Sequence, residues 1–227
     1  MPIRTVQKRL SGSDDVERIA VALKDPCIMM YTSGTTANPK GCPITHEHLV
    51  RNGINMNREK YLLGPDDRMW DPLPLFHMNA MCVGVLASIL VGARVAFVPR
   101  FSVSNFWPEV ERSGATIASI LGSMGAMLAN APDTEAGQRC KGQIHTVRGN
   151  PFTEEVKAIW RERFGAKQVG GNGYGLTEAA VITSLAGGEH AAPGSSGKRI
   201  PDFDVRIVDD LDREVAAGTS GEIVVRP

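Results

Sequence analysis

The sequence predicts an α/β fold, a mostly parallel sheet flanked by helices, with the start of a small antiparallel β-barrel at its C-terminal end. Three observations carry this. Short apolar runs alternate with segments of helical periodicity from about residue 25 to 193. The turns between them are short and rich in Gly, Asn and Pro, as in strand–helix–strand units. After about Gly194 the apolar residues switch to a period of two, the signature of half-buried strands.

Taken in order, Cys27–Tyr31 is an unbroken apolar run and reads as a strand. Thr45 is a candidate N-cap for a helix to about Tyr61, with Val50, Ile54, Asn57 and Tyr61 along one face. Asn79–Leu90 reads as a buried helix, Gly92 as a turn and Arg94–Val98 as a strand. Ser104–Ser113 is a helix with Glu109 and Glu111 exposed, followed by a strand at Thr116–Ser119 and a helix at Gly122–Asn130. Ile144–Val147 and Gln168–Gly171 are strands on either side of a helix at Thr153–Phe164. In that helix Val156, Ile159, Trp160 and Phe164 fall at helical spacing, and Gly165 stands past its end. Phe203–Val208 and Glu222–Arg226 alternate at period two around the turn cluster Asp209-Asp210-Leu211-Asp212. The expected organisation is a leading segment at 1–24, an α/β core at 25–193 and an incomplete β-barrel portion at 194–227.

Composition narrows the class. The 227 residues are 42% apolar and 22% charged, ordinary for a globular protein. Formal net charge is zero, so no bulk attraction to nucleic acid or an anionic membrane is expected. The four cysteines are scattered without a C-x-x-C pair. That argues against a disulfide framework or a zinc site and suits a reducing, cytoplasmic setting. Residues 1–15 lack the apolar core of a signal peptide. Asn79–Val98 is long enough to span a bilayer, yet Gly92 and Arg94 interrupt it. No integral membrane segment is expected.

Four stretches carry chemistry. Tyr31-Thr32-Ser33-Gly34-Thr35-Thr36-Ala37-Asn38-Pro39-Lys40-Gly41 follows the first apolar run. Glycines let backbone N–H groups approach an anion, hydroxyls add donors and Lys40 adds a charge on a long stem. Taken alone, the stretch reads equally well as a plain loop. It is not the Walker phosphate loop, because six residues run from Gly34 to Lys40 and Gly41 follows the lysine. Gly173-Tyr174-Gly175-Leu176-Thr177-Glu178 offers an aromatic face, a hydroxyl and a carboxylate, or simply a turn. Pro72-Leu73-Pro74-Leu75-Phe76-His77-Met78 is a Pro-rich turn ending in a histidine, and Arg148-Gly149-Asn150-Pro151-Phe152 joins a strand to a helix. His46 and His48 stand two apart on a helix and share no face. They read as exposed polar residues at its start.

Together, in this order, these stretches resemble the adenylate-forming superfamily of acyl-CoA synthetases, luciferases and peptide-synthetase adenylation domains. The Y-T-S-G-T-T-x-x-P-K-G loop matches its signature at most positions, with Ala37 where the family usually has Gly. Y-G-x-T-E and P-L-F-H match two further motifs, and Arg148–Phe152 matches a G-A-P-L-like segment only at Gly149 and Pro151. The resemblance runs from about Asp25 to Pro227 and looks most like the carnitine/crotonobetaine-CoA ligase type.

The resemblance implies ATP-dependent activation of a small-molecule substrate, a carboxylic acid of unspecified chain length, to an acyl-adenylate, then transfer to CoA, with ATP and Mg2+ bound. Thr32, Ser33, Gly34, Thr35, Thr36 and Lys40 would hold the phosphates. Tyr174 would stack on adenine, with Gly149, Asn150, Asn172, Gly173 and Gly175 around it. Thr177 would contact the α-phosphate, Thr32 and Glu178 would hold the magnesium ion, and His77 would orient or gate the carboxylate. Lys40, Thr177, Glu178 and His77 are thus the expected catalytic group. The family's T-G-D motif and its mobile C-terminal domain with a catalytic Lys would lie beyond Pro227. The sequence therefore reads as a truncated member, weakly active or inactive alone. A non-catalytic nucleotide-binding remnant and an enzyme loading a carrier protein are the alternatives.

Overall fold

The computed structural model describes residues 20–32, 38–57, 63–171, 173–185, 192 and 194–226. Pro26–Thr32 (β1) and Lys40–Thr45 (β2) form an antiparallel hairpin in which Thr32 faces Lys40 and Met30 faces Cys42. β2 escapes the sequence reading because Gly41 and Pro43 make it look like loop. Pro43 is accommodated because, among the described residues, the sheet has two strands and each keeps one edge unpaired.

α1 (His46–Met56) starts where Thr45 caps it, the Thr45 hydroxyl accepting from His48 N at 3.2 Å. Its buried face differs from the expected one. Ile54 is 48% exposed, while Asn52, Gly53, Asn55 and Met56 are buried. Packing and a polar tie decide this. The Leu86 and Leu90 side chains close on Gly53, and Asn55 Nδ2 donates to Asp202 Oδ2 at 3.0 Å. The expected continuation to Tyr61 lies outside the described residues.

β3 (Arg68–Asp71) opens the main sheet. A π-helical segment at Asn79–Leu86, a short helix α2 (Ala87–Val91) and β4 (Arg94–Phe97) follow. The helix–turn–strand order of the most apolar stretch holds, with Gly92 at the turn, but the helix is not buried to its end: Ile89 is 65% and Leu90 42% exposed. Among the described residues no helix is long and apolar enough to cross a membrane. Then come α3 (Val103–Ser113), β5 (Ile117–Ser119), α4 (Gly122–Ala129), α5 (Glu135–Arg139), β6 (Thr146–Arg148), α6 (Glu154–Glu162) and β7 (Gln168–Val169). Glu109, expected to be exposed, is partly buried. Burial raises its pKa, against the opposing effect of the Trp70 indole and Arg112.

The main sheet is parallel throughout, in the order β4-β3-β5-β6-β7. One face holds an aromatic core of Trp70, Phe106, Trp107, Trp160 and Phe164. Phe106 and Trp107 lie 4.8 Å apart and Trp160 and Phe164 5.0 Å apart, in edge geometries that favour aromatic pairs. The other face packs Met69 and Ile117 against Met56, Leu63 and Ala87. At the amino ends of the strands, Asp67 Oδ1 accepts from Thr116 Oγ1 at 2.8 Å and lies 3.0 Å from His145 Nε2, tying three strand starts together.

β8 (Gly173–Leu176), β9 (Ala180–Ser184) and β10 (Lys198–Arg199) form an antiparallel sheet, and β11 (Asp204–Val208) pairs antiparallel with β12 (Glu222–Arg226). In the parallel sheet β3 lies between β4 and β5. The chain leaves β3 first to one side and then to the other. At such a reversal the loops beyond the carboxyl ends diverge, and a crevice opens between them.

Candidate active site

A cavity of about 390 Å³ lies at that crevice. Its walls are the turns that leave the strands. His77, Met78 and Asn79 follow β3, and Ile120 and Leu121 follow β5. Arg148, Gly149 and Asn150 end β6, and Gly171 follows β7. The β8–β9 hairpin lays Gly173 to Thr177 across the opening, and α1 contributes Asn52 and Met56.

Local chemistry explains these positions. At Gly149 a Cβ would stand 2.6 Å from the Ile120 carbonyl oxygen. Only glycine lets the β6 turn close on the β5 turn there. The β8–β9 register shifts between Tyr174 and Gly175, a bulge of the kind that re-aims a side chain. Tyr174 N donates to Thr183 Oγ1 at 3.0 Å, anchoring the backbone behind the ring. Asn150 Nδ2 reaches Gly173 O at 3.5 Å. The P-L-F-H turn is held by His77 N donating to Pro74 O at 3.0 Å. Just before it, Asp71 is fully buried. Burial pushes its pKa up to about 7, against the Leu73 N–H that its Oδ1 accepts at 2.8 Å.

The Thr177–Glu178 turn is the tip of the β8–β9 hairpin. His48 is not the exposed residue expected at a helix start. It is partly buried, and burial and then Arg51 lower its pKa, while the Thr177 backbone carbonyl opposes them. The Cys42 thiol is pushed up by burial first and by the charge of Glu178 second. Cys42 lies two residues from Lys40 on β2.

Of the residues singled out in the sequence, the cavity gathers His77, Gly149, Asn150 and the run Gly173, Tyr174 and Gly175, with Thr177 beside them. Thr32, Lys40 and Glu178 are not among its walls. Lys40 is exposed on β2, and the Thr32 hydroxyl across from it donates to the Lys40 carbonyl at 3.5 Å. Ser33, Gly34, Thr35, Thr36 and Asn172 lie outside the described residues. Among the described residues no group of three His, Cys, Asp or Glu side chains gathers as a metal site. Asn52, Met56 and Asn79 line the cavity without any motif to mark them. Arg148 does carry a signal, a charge closing a short strand-like run.

A parallel α/β sheet with a cavity at its reversal point, walled by a P-L-F-H turn and a Y-G-L-T-E hairpin, has the build of an adenylate-forming protein. The comparison with known families agrees. A model described as AMP-binding enzyme matches residues 4–227, and the chain belongs to that family. It is 42% identical over 111 residues to the sulfoacetate–CoA ligase of Cupriavidus necator, covering 49% of this chain and 22% of that one. It is 31% identical to the crotonobetaine/carnitine–CoA ligase of Escherichia coli O157:H7, covering 89% of this chain and 38% of that one. The crystal structure of Brucella canis acyl-CoA synthetase superposes with a TM-score of 0.80 at 26% identity, covering 95% of this chain and 40% of that one. The chain thus spans well under half the length of these relatives.

Proposed function

We propose that this chain forms the nucleotide and acid site of an ATP-dependent ligase that makes an acyl-adenylate and then an acyl-CoA. The observation that carries this is convergence. Parts of two motifs about a hundred residues apart, His77 and Met78 of the one and Gly173–Thr177 of the other, meet in one cavity that Gly149 and Asn150 also line. Tyr174 supplies a face for adenine, and Gly149 and Gly173 admit the base close to backbone. His77 and Met78 also line the cavity, and the acid would sit beside them.

In the first step a carboxylate oxygen attacks the α-phosphorus of ATP, and the bond to the leaving pyrophosphate breaks. The thiolate of CoA then attacks the acyl carbon, and AMP leaves. Negative charge grows on the α-phosphoryl oxygens in the first step. Thr177, Lys40 and the hydroxyls of Ser33, Thr35 and Thr36 would stabilise it, and His77 would orient the acid. No protein nucleophile is needed, so positioning and charge carry the rate.

Thr32 and Glu178 would hold magnesium. Both are hard oxygen donors, and few protein oxygens suffice for this ion. The fit rests on the oxygen chemistry of these two donors and on the pairing of Thr32 with Lys40. When bound, magnesium offsets phosphate charge.

The acid is not set by the family, since the named substrates of the relatives differ. ATP–pyrophosphate exchange with a panel of acids, alongside calorimetric titration with AMP, tests the reading. Acid-dependent exchange supports it, and absence of AMP binding at millimolar concentration would sink it. A nucleotide-binding module without turnover is the second reading. The placing of Thr32, Lys40 and Glu178 outside the cavity walls favours it, and AMP binding without exchange is its signature.

A further inference from the structure

β3 and β4 end side by side. Asp71 pairs with Phe97 at the last position of the register, and Val98 N donates to Asp71 O at 3.4 Å. The turns that leave the two strands, residues 72–75 and 99–101, line a second groove of about 590 Å³ together with Phe97 and Val98. It shares no lining residue with the nucleotide cavity. One turn nevertheless serves both, residues 72–75 in the groove and 77–79 in the cavity.

The chemistry of the groove narrows its occupant. β4 is the edge strand of the parallel sheet, and a peptide added at a sheet edge is held by main-chain hydrogen bonds. Pro72, Pro74 and Pro99, three of the nine residues that line the groove, have no N–H to donate. The surface they frame is apolar instead. Leu73, Leu75, Phe97 and Phe101 supply it. Phe101 is steadied by the buried Trp70, edge to face at 6.5 Å between ring centroids. Leu75 and Phe97 are exposed, so an occupant takes apolar surface out of water.

Arg100 is the one charged residue of the nine. It is exposed, and among the described residues no carboxylate is paired with it. Apolar walls with a single guanidinium complement one alkyl chain that ends in an anion. A planar carboxylate matches the guanidinium fork with two parallel bonds. The volume falls within the roughly 300–1,000 Å³ typical of small-molecule sites.

We propose that this groove binds a medium-chain alkyl carboxylate, a free fatty-acid anion, at a site separate from the nucleotide cavity. The site needs neither nucleotide nor turnover, so it stands or falls apart from the ligase reading.

The chain is titrated calorimetrically, without nucleotide, with hexanoate, octanoate and decanoate. Affinity is expected to rise about fourfold for each CH2 that enters the groove. Octanoate is expected to bind about threefold or more tighter than 1-octanol, a modest gain because Arg100 meets water. Arg100→Gln should bring octanoate down to the level of the alcohol and keep the dependence on chain length. Phe97→Ser should weaken octanoate by about tenfold. Thermal melts check folding, and Leu75→Ser repeats the apolar arm if Phe97→Ser does not fold. Saturating AMP is expected to leave decanoate binding in place. Absence of saturable decanoate binding at millimolar concentration overturns the proposal. An affinity unmoved by Arg100→Gln, or by the apolar variant, overturns it as well. So does binding that AMP abolishes or that appears only with AMP, which assigns the chain to the cavity. Sedimentation with phosphatidylglycerol vesicles that depends on Arg100, without binding of free decanoate, makes the groove a membrane contact and also overturns it.

Discussion

Asp71 Oδ2 lies so close to the backbone of Gly84 that any Cβ at that position would overlap it. The contact joins the carboxyl end of β3 to the π-helical segment that follows the P-L-F-H turn. Ser88 Oγ also donates to the Gly84 carbonyl at 2.7 Å, one turn further on. The wide turn of the helix and the missing side chain together leave room for a buried carboxyl group beside the active-site wall.

Gly84→Ala is therefore expected to destabilise the protein, against helix propensity. Propensity alone would favour Ala over Gly by about 1 kcal/mol. The overlap is with a fully buried side chain that has nowhere to move, and overpacking of that kind costs about 1–3 kcal/mol. A lower urea midpoint with an unchanged m-value is the expected result. A raised midpoint would show that the Asp71 pocket can accommodate the added methyl group.

The same carboxyl group makes stability depend on pH. Burial pushes Asp71 from its ordinary 3.8 up to about 7 in the folded state. Between those values the folded state binds more protons than the unfolded one, so stability falls as pH rises. The contribution is complete below about 4 and lost by about 7. A tenfold change in proton affinity corresponds to about 1.4 kcal/mol, which caps the effect at about 4 kcal/mol. Asp71→Asn keeps an acceptor for Leu73 N and removes the titration. Its stability relative to wild type should rise between pH 4 and 7 and then level off. Parallel stability–pH curves for the two proteins would refute the buried, proton-holding carboxyl.

Much of the fold was legible because its elements are locally self-declaring. The Thr45 cap, the Trp160 face of α6 and the alternating β11 and β12 all follow from neighbours a few residues apart. β2, β3 and β8 were not legible. They are short, and Gly, Pro or terminal charges break their apolar pattern, so pairing with distant strands makes them. The buried face of α1 was misread for a related reason. Asn52 and Asn55 are buried by tertiary partners such as Asp202, which hydropathy cannot see. The site motifs could be read one by one. That the turns after β3, β5 and β6 meet in one cavity follows from the strand order, and strand order is not written in any single stretch.

Trp160 ties the aromatic core to the site. Its indole N–H donates to Gly125 O at 3.1 Å, and the ring is wholly buried against Phe106 and Phe164. Trp160→Ala is expected to cost about 3–5 kcal/mol, the range for emptying a large aromatic site. Trp160→Phe keeps most of the packing and leaves the Gly125 carbonyl without this donor, for about 1–3 kcal/mol. Denaturant titration followed by far-UV circular dichroism measures both. Equal losses for the two variants would mean that the hydrogen bond, not the ring, carries the effect.

Tyr174 separates the nucleotide-site reading from a purely structural role for the β8 bulge. Its backbone is fixed by Thr183 Oγ1, independently of its side chain. Its ring is half-buried at the wall of the cavity. Removing the ring should therefore leave the hairpin in place and weaken base stacking, which is worth about 1–3 kcal/mol per base by alanine substitution. Tyr174→Ala is expected to weaken AMP binding by about 5- to 150-fold, with a melting temperature close to wild type. Tyr174→Phe keeps the stacking face and should bind AMP within a factor of about two to three. Calorimetric titration with AMP and with adenosine reads the effect at the base, since stacking predicts the same ratio for both ligands. A loss seen with AMP and absent with adenosine would place the hydroxyl near phosphate instead, and an unchanged affinity in Tyr174→Ala would remove Tyr174 from the adenine site altogether.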